Sequence, residues 1–260
     1  MSEGPNPLGF ERTPDLKGAP TLLCAFSGWN DAGLAATTAV QYVAERLEAK
    51  RFYSLDGEEF YDYTVQRPLV RLDEANVRQI TWPAFDFLAA DGHRLAFMTA
   101  AEPHFHWKAF SRHLVDVCRE IGAERVGLLG SFLAQVVHSD PVPVTGFASD
   151  PKLLENLHVG TTSYEGPTGI VGALLDSLRR ESIPVVSLWA AVPHYIAAAA
   201  NPRAALALLL KLREWIDLPI DTAPIEAAAS SFQAKLLEAV EGDSDLATYV
   251  RGLKKDEQSH

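Results

Sequence analysis

The stretch CAFSGWNDAG, Cys24 to Gly33, ends an apolar run in a cluster of turn-forming residues, and LAATTAVQYVAERL begins directly after it. An apolar run closed by glycine reads as a buried strand running into a tight turn. The segment that follows places Leu34, Val40, Val43, Ala44 and Leu47 on one side at the helical period. A strand, a turn and a helix in that order open an α/β fold. Trp29 is expected to fill space between turn and helix, with Asn30 and Asp31 fixing the turn by hydrogen bonds.

Outward from this unit the alternation continues. RFYSLDG reads as a second strand, and Phe60 to Pro83 as an antiparallel hairpin with its turn near Glu74 to Asn76. RLAFMTAAEP is an apolar run closed by Pro103, and the helix after it lines up Phe110, Leu114, Val117, Cys118 and Ile121 before Gly122. RVGLLGSFLA is another buried strand, VVHSDPVPVTGFASD a loop punctuated by prolines, and Asp150-Pro151 the capped start of a short helix. GTTSYEG reads as a short strand, TGIVGALLDSLRR as a helix, IPVVSLWAAVP as the last strong strand and Asn201-Pro202 as the start of a long helix. Ala223 to Lys255 is charged and helical, an αα-hairpin broken at Gly242-Asp243. The expected class is α/β on a largely parallel sheet, with a β-hairpin insertion. The expected organisation is an extended or disordered segment over 1–20, an α/β domain over 21–220 and a helical appendage over 221–260.

The 260 residues are 47% hydrophobic, enough for a sizeable core, and 23 basic against 34 acidic residues give a net charge of -11. That balance repels phosphate backbones and argues against nucleic acid or an anionic membrane as partner. The N-terminal residues lack the pattern of a signal peptide. The longest apolar stretch, AAVPHYIAAAANPRAALALLL, is interrupted by prolines, His194, Asn201 and Arg203, so no membrane span is expected. Cys24 and Cys118 form neither a disulfide framework nor a metal motif, and a cytoplasmic location is the expectation.

Ligands of open α/β sheets gather beyond the carboxyl ends of the strands. SGWNDAG, AEPHFHW, SYEGPTGI and AVPHYI all fall there on this reading. Their ligand-binding candidates are Gly28, Asn30, Asp31, Gly33, His104, Glu165, Gly166, Thr168 and Gly169, and Asp31, Glu165 and His194 form a candidate acid/base set. The plainer alternative is that Asn30 or Asp31, and Thr168, are helix caps. His104 and His106, with His138 or His194, match no zinc signature, so no metal is expected. Gly130-Ser131 lacks the nucleophile elbow, and no phosphate-binding glycine loop is present, so no cofactor is expected. Tyr61, Tyr63 and Trp82 in the hairpin are interface candidates, since a two-stranded ribbon must pack on something.

Taken together, GWNDAG, EPHFHW, YEGPTGI and SLWAAVPHYIAAAANP resemble the PAC2 family, over about Leu22 to Leu212. The resemblance implies a three-layer α/β/α fold similar to the phosphorylase/hydrolase-like architecture, and association with itself or with paralogues. It also implies assembly-chaperone work on proteasome rings. Two departures stand out. Some proteasome-assembly relatives end in a hydrophobic–Tyr–any tail, where this chain ends KKDEQSH. Bacterial relatives tend to carry a Pro-His-Thr-Arg-Pro-like loop, where this chain has Val137-His138-Ser139-Asp140-Pro141, without the arginine that clamps an anion. The expected function is a non-catalytic, protein-binding or assembly-chaperone-like module acting as a homo-oligomer, possible partners including proteasome components. The alternative is a hydrolase or phosphorylase-like enzyme with a small-ligand pocket at the strand ends.

Overall fold

The computed structural model describes residues 8–74, 76–196 and 200–257. Ala75 of the expected hairpin turn, Ala197 to Ala199 of the fourth motif, and both termini of the sequence lie outside the described residues. The opening unit forms as read: β1 spans Thr21–Ser27, a single 3-10 turn Ala32–Leu34 follows, and α1 spans Ala35–Arg46. β1 lies at the centre of the sheet, which explains why it is apolar at every position rather than alternating. Leu23 and Ala25 face one layer of the core, while Leu22, Cys24 and Phe26 face the other.

The remaining strands are β2 (Lys50–Asp56), β3 (Leu69–Leu72), β4 (Arg78–Thr81), β5 (Ala84–Ala90), β6 (Leu95–Ala101), β7 (Arg125–Ala134), β8 (Val144–Ala148), β9 (Gly160–Thr161) and β10 (Val185–Pro193). The helices are α2 (Trp107–Glu120), α3 (Pro151–Asn156), α4 (Ile170–Arg180), α5 (Pro202–Ile216), α6 (Ala223–Gly242) and α7 (Ser244–Glu257). Eight strands form one sheet in the order β2-β5-β6-β1-β7-β10-β8-β9, and β3-β4 stands apart as a ribbon. Helices α1 and α5 cover one face; α2 and α4 cover the other, through Phe110, Leu114, Val117, Ile170, Leu174 and Leu178. This is a three-layer α/β/α sandwich, with α6 packed outside α5 and α7 on α6.

The long parallel pairings lie at the centre, and the short β8-β9 pair at the edge is parallel as well. β6, β1, β7 and β10 run parallel, whereas β5 is antiparallel to β6, β2 to β5, and β8 to β10. The flank at β5 follows from its turn: the four residues Asp91 to Arg94, with Gly92 at φ 80°, are too few for anything but a hairpin. The segment read as a proline-punctuated loop contains β8, held beside β10 because Gly146 admits Ser187 O closely; a Cβ there would sit 2.5 Å from it. Of GTTSYEG, only Gly160–Thr161 is strand.

The segment from Phe10 to Arg12 is tied to the sheet. Phe10 packs edge-on against Phe52 with centroids 5.0 Å apart, Glu11 N donates to Phe52 O, and Arg12 pairs with Asp91 at 2.8 Å. Asp150 Oδ1 accepts from Lys152 N, and Asn201 Oδ1 from Ala204 N, as the caps of α3 and α5. The break between α6 and α7 is at Asp243, whose carboxylate accepts from Asp245 N and Leu246 N. Among the described residues, no helix is long and apolar enough to cross a membrane.

Candidate functional site

At the carboxyl ends of the parallel strands the chain turns outward in loops carrying most of the candidate residues. Gly28, at φ 115°, lets β1 leave the sheet in a conformation that residues with a Cβ resist. Asn30 follows with no exposed surface, and its Nδ2 donates to Glu102 Oε1 at 2.8 Å. The same Glu102 oxygen accepts from Ile170 N at 2.7 Å. α4 begins at Gly169, which has no side chain to cap it, so a carboxylate from the end of β6 caps it instead. Gly169 must be glycine for steric reasons: a Cβ would lie 2.3 Å from Asn30 Oδ1 and 2.7 Å from Glu102 Oε1. Three of the four stretches are thus joined through Asn30, Glu102 and Gly169.

Asp31 faces α1. Its Oδ1 accepts from Ala36 N at 2.7 Å and from Ser131 Oγ at 3.2 Å, and its Oδ2 accepts from Thr37 Oγ1 and Thr37 N. Burial raises its pKa, opposed by the hydrogen bonds from Thr37, Ala36 and Ser131. Ser131 is itself buried, its single hydroxyl proton is shared between Asp31 Oδ1 and Ala32 O at 2.9 Å, and its backbone N donates to Asn30 O. The pair locks the turn to the end of β7, and neither side chain opens onto solvent.

The other candidates lie apart. His104 Nδ1 accepts from Asp62 N at 2.9 Å, fixing the root of the β3-β4 ribbon. His194 Nδ1 donates to Ala134 O at 3.2 Å, and its Nε2 is 3.0 Å from the Tyr249 hydroxyl on α7. Glu165, Gly166 and Thr168 are exposed on the loop before α4, and Gly33 is buried in the 3-10 turn, its O accepting from Asn201 N. No hydrogen bond joins any two of Asp31, Glu165 and His194 among the described residues. His138 is buried, its Nδ1 2.8 Å from the Tyr195 hydroxyl. Its loop has no arginine of its own, but Arg203 of α5 reaches it, donating to His138 O and to Asp140 O.

Two residues sit otherwise than expected. Trp29 does not fill space between turn and helix; it is 61% exposed, because Asn30 and Asp31 take the inward positions of the turn. Tyr61, an interface candidate, is buried within its own chain, stacked on Phe85 at 4.7 Å and donating to Ala101 O. Tyr63 and Trp82 flank the ribbon at its root, rings 5.0 Å apart, with Trp82 exposed. Glu102 is not among the candidates above, although it lies within AEPHFHW directly after a strand, where a carboxylate reaches helix N-termini.

Around this polar junction the edge is apolar. Trp29, Leu34, Phe105, Phe132, Leu133 and Tyr164 are exposed there, Tyr164 by 64%. Leu34 and His106 are held at positive φ (50° and 54°), directly before α1 and α2. A cleft of about 540 Å³ lies at the opposite edge, lined by Lys17, Thr21, Arg94, Arg125, Trp215 and Asp217, and includes none of the candidates. Among the described residues, no group of three or more His, Cys, Asp or Glu is placed to hold a metal ion.

The model of the PAC2 family matches residues 25–240. Among solved structures, a PAC2 family protein from Streptomyces avermitilis is 40% identical, with a TM-score of 0.82 over 89% of this chain and 99% of that one. A proteasome-assembly chaperone homologue from Mycobacterium tuberculosis is 35% identical, with a TM-score of 0.80 over 88% and 99%. An archaeal proteasome activator from Pyrococcus furiosus, 19% identical with a TM-score of 0.67 over 89% and 97%, shares the fold. No curated protein matches the chain.

Proposed function

We propose that this chain, which belongs to the PAC2 family, is a non-catalytic, assembly-chaperone-like module that binds proteins through the apolar edge at its strand ends. The observation that carries the reading is the division of labour at that edge. Asn30, Asp31, Glu102 and Ser131 point inward and hold turn, helices and strand to one another. Trp29, Leu34, Phe105, Phe132, Leu133 and Tyr164 point outward. Exposed large apolar side chains on a rigid scaffold suit docking of another chain, and tryptophan and tyrosine are the residues that anchor such contacts.

The relative from M. tuberculosis, described as a proteasome-assembly chaperone homologue, supports proteasome subunits as the partner. Self-association and a cytoplasmic setting go with this reading; both described cysteines are free and buried. The test is native mass spectrometry of purified proteasome α- and β-type subunits assembling with and without the full chain. The reading expects complexes that contain the chain and disappear in Trp29→Glu. Assembly through the same species at the same rate, with no complex containing the chain, would overturn it.

A further inference from the structure

We propose that the cleft at the amino-terminal ends of the parallel strands binds a small zwitterion of dipeptide size, its carboxylate on the sheet side and its ammonium at the end of α5. This site lies at the edge away from the docking surface and goes beyond the function proposed for that surface.

The cleft holds about 540 Å³, the size of a small-molecule pocket. Its charges are sorted by origin. Lys17, Arg94 and Arg125 stand at or just before the starts of β1, β6 and β7, whereas Glu214 and Asp217 belong to the last turn of α5 and its cap. Among the described residues no ion pair joins the two groups. Lys17 pairs instead with Asp15 at 2.6 Å, Arg125 with Glu124 at 3.2 Å and Glu214 with Lys211 at 2.9 Å, all partners outside the lining. The side chains of Arg94 and Asp217 have no hydrogen bond or ion pair among the described residues. The carbonyl end of α5, a helix of 15 residues, adds its negative dipole to the carboxylate side. A simple anion is drawn to one side of such a cleft and repelled by the other; a zwitterion answers both.

Trp215 links the two groups. It follows Glu214 on α5, and the Arg125 guanidinium lies over its ring, Cζ 5.9 Å from the centroid. Gly127 of β7 makes room for that ring, since a Cβ there would lie 3.0 Å from Trp215 Cζ3. Cζ3 and Nε1 are at opposite ends of the indole, so the N–H end is the one away from this contact. Nε1 is buried and has no acceptor among the described residues. Buried donors in folded proteins are nearly always paired, and a peptide carbonyl between the two charges of the ligand supplies the partner. One amide between carboxylate and ammonium is the composition of a dipeptide. The sheet side is fixed in advance: Lys17 N donates to His93 O and Thr21 N to Arg94 O, both at 2.8 Å.

Isothermal titration calorimetry of the full chain with alanylalanine tests the proposal. Two blocked probes go beside it, N-acetylalanylalanine without the ammonium and alanylalanine amide without the carboxylate. The variants are Arg94→Gln and Asp217→Asn. Both side chains are exposed, and Asp217 holds φ 48°, a conformation asparagine also adopts, so both variants should fold; circular dichroism checks this. The wild type is expected to bind the free dipeptide, and each variant and each blocked probe to weaken binding by about tenfold. The losses belong to particular pairs. The acetylated probe should therefore bind the wild type and Asp217→Asn alike, and the amide should bind the wild type and Arg94→Gln alike. No heat at millimolar dipeptide, blocked probes that bind as well as the free one, or full binding in either folded variant would overturn the proposal. Inorganic phosphate bound more tightly than the dipeptide would replace it with an anion site.

Discussion

Asn30 Nδ2 donates to Glu102 Oε1 at 2.8 Å, and that oxygen also receives Ile170 N, so one carboxylate at the end of β6 orients the β1 turn and caps α4. The apolar edge is presented by loops that this contact fixes. Removing the acceptor leaves a fully buried amide without its partner and a helix without its cap. Glu102→Ala is expected to cost about 1–3 kcal/mol. Glu102→Gln, which keeps one oxygen, should cost less. Denaturant unfolding of the two variants checks the ranking; equal stability in both would contradict it.

Gly169→Ala should destabilise by about 1–3 kcal/mol through overpacking, since the new methyl lands on Asn30 and Glu102. The backbone there is extended, so the effect is purely steric. Combining it with Glu102→Ala, which clears part of the space, should give less than the sum of the two costs. Additive costs measured in a double-mutant cycle would show that the side chains do not meet as described.

Asp31→Ala should cost about 0.5–2 kcal/mol, because it leaves Ala36 N and Thr37 N at the start of α1 without their acceptor. Burial raises this carboxyl above its ordinary 3.8. The folded state therefore favours the protonated form. The wild type's advantage over the variant should be fully present below 3.8 and shrink as pH rises through the raised folded value. Unfolding curves of both proteins across that window check the sign, and an advantage that grows with pH would contradict it.

Acid should loosen the C-terminal helices. His138 follows Val137, which packs with Val240 and Val250, and its pKa is lowered by burial, then by Lys254 and Arg203, with Asp140 opposing. A depressed histidine favours folding in its neutral form. Its contribution is complete above the ordinary 6.5 and lost as pH falls through the lowered folded value. Intrinsic-rate-corrected amide exchange over residues 236–254 should quicken on acidification in the wild type and change less in His138→Gln. The same pH response in both would contradict the assignment.

How legible this was in the sequence depended on how local each determinant is. β1, its turn and α1 could be read because an apolar run, Gly28 and a helical period are all contiguous, and Asp150 and Asn201 cap helices one residue ahead of a proline. β8 could not, because Pro141 and Pro143 mask a strand whose place depends on Gly146 fitting against Ser187, forty-one positions on. Nor could Glu102, whose partners lie 72 and 68 residues away. Motif spacing pointed to the correct edge but not to which side chains face inward. Asn30 and Asp31 take the interior and leave Trp29 outside, an outcome set by hydrogen-bond partners on other strands. Tyr61 and Tyr63 diverge for a similar reason: Tyr61 finds Ala101 O and the face of Phe85, and Tyr63 meets Trp82 at the root of the ribbon.

The central claim is that a protein partner covers the strand-end edge. The most direct measurement is hydrogen-exchange mass spectrometry of the full chain with and without purified proteasome subunits. The account predicts slowed exchange over residues 28–34, 103–107, 131–134 and 162–168, with little change over 92–95 and 214–219 at the opposite cleft. Protection confined to that cleft, or no protection at saturating subunit concentration, would contradict it.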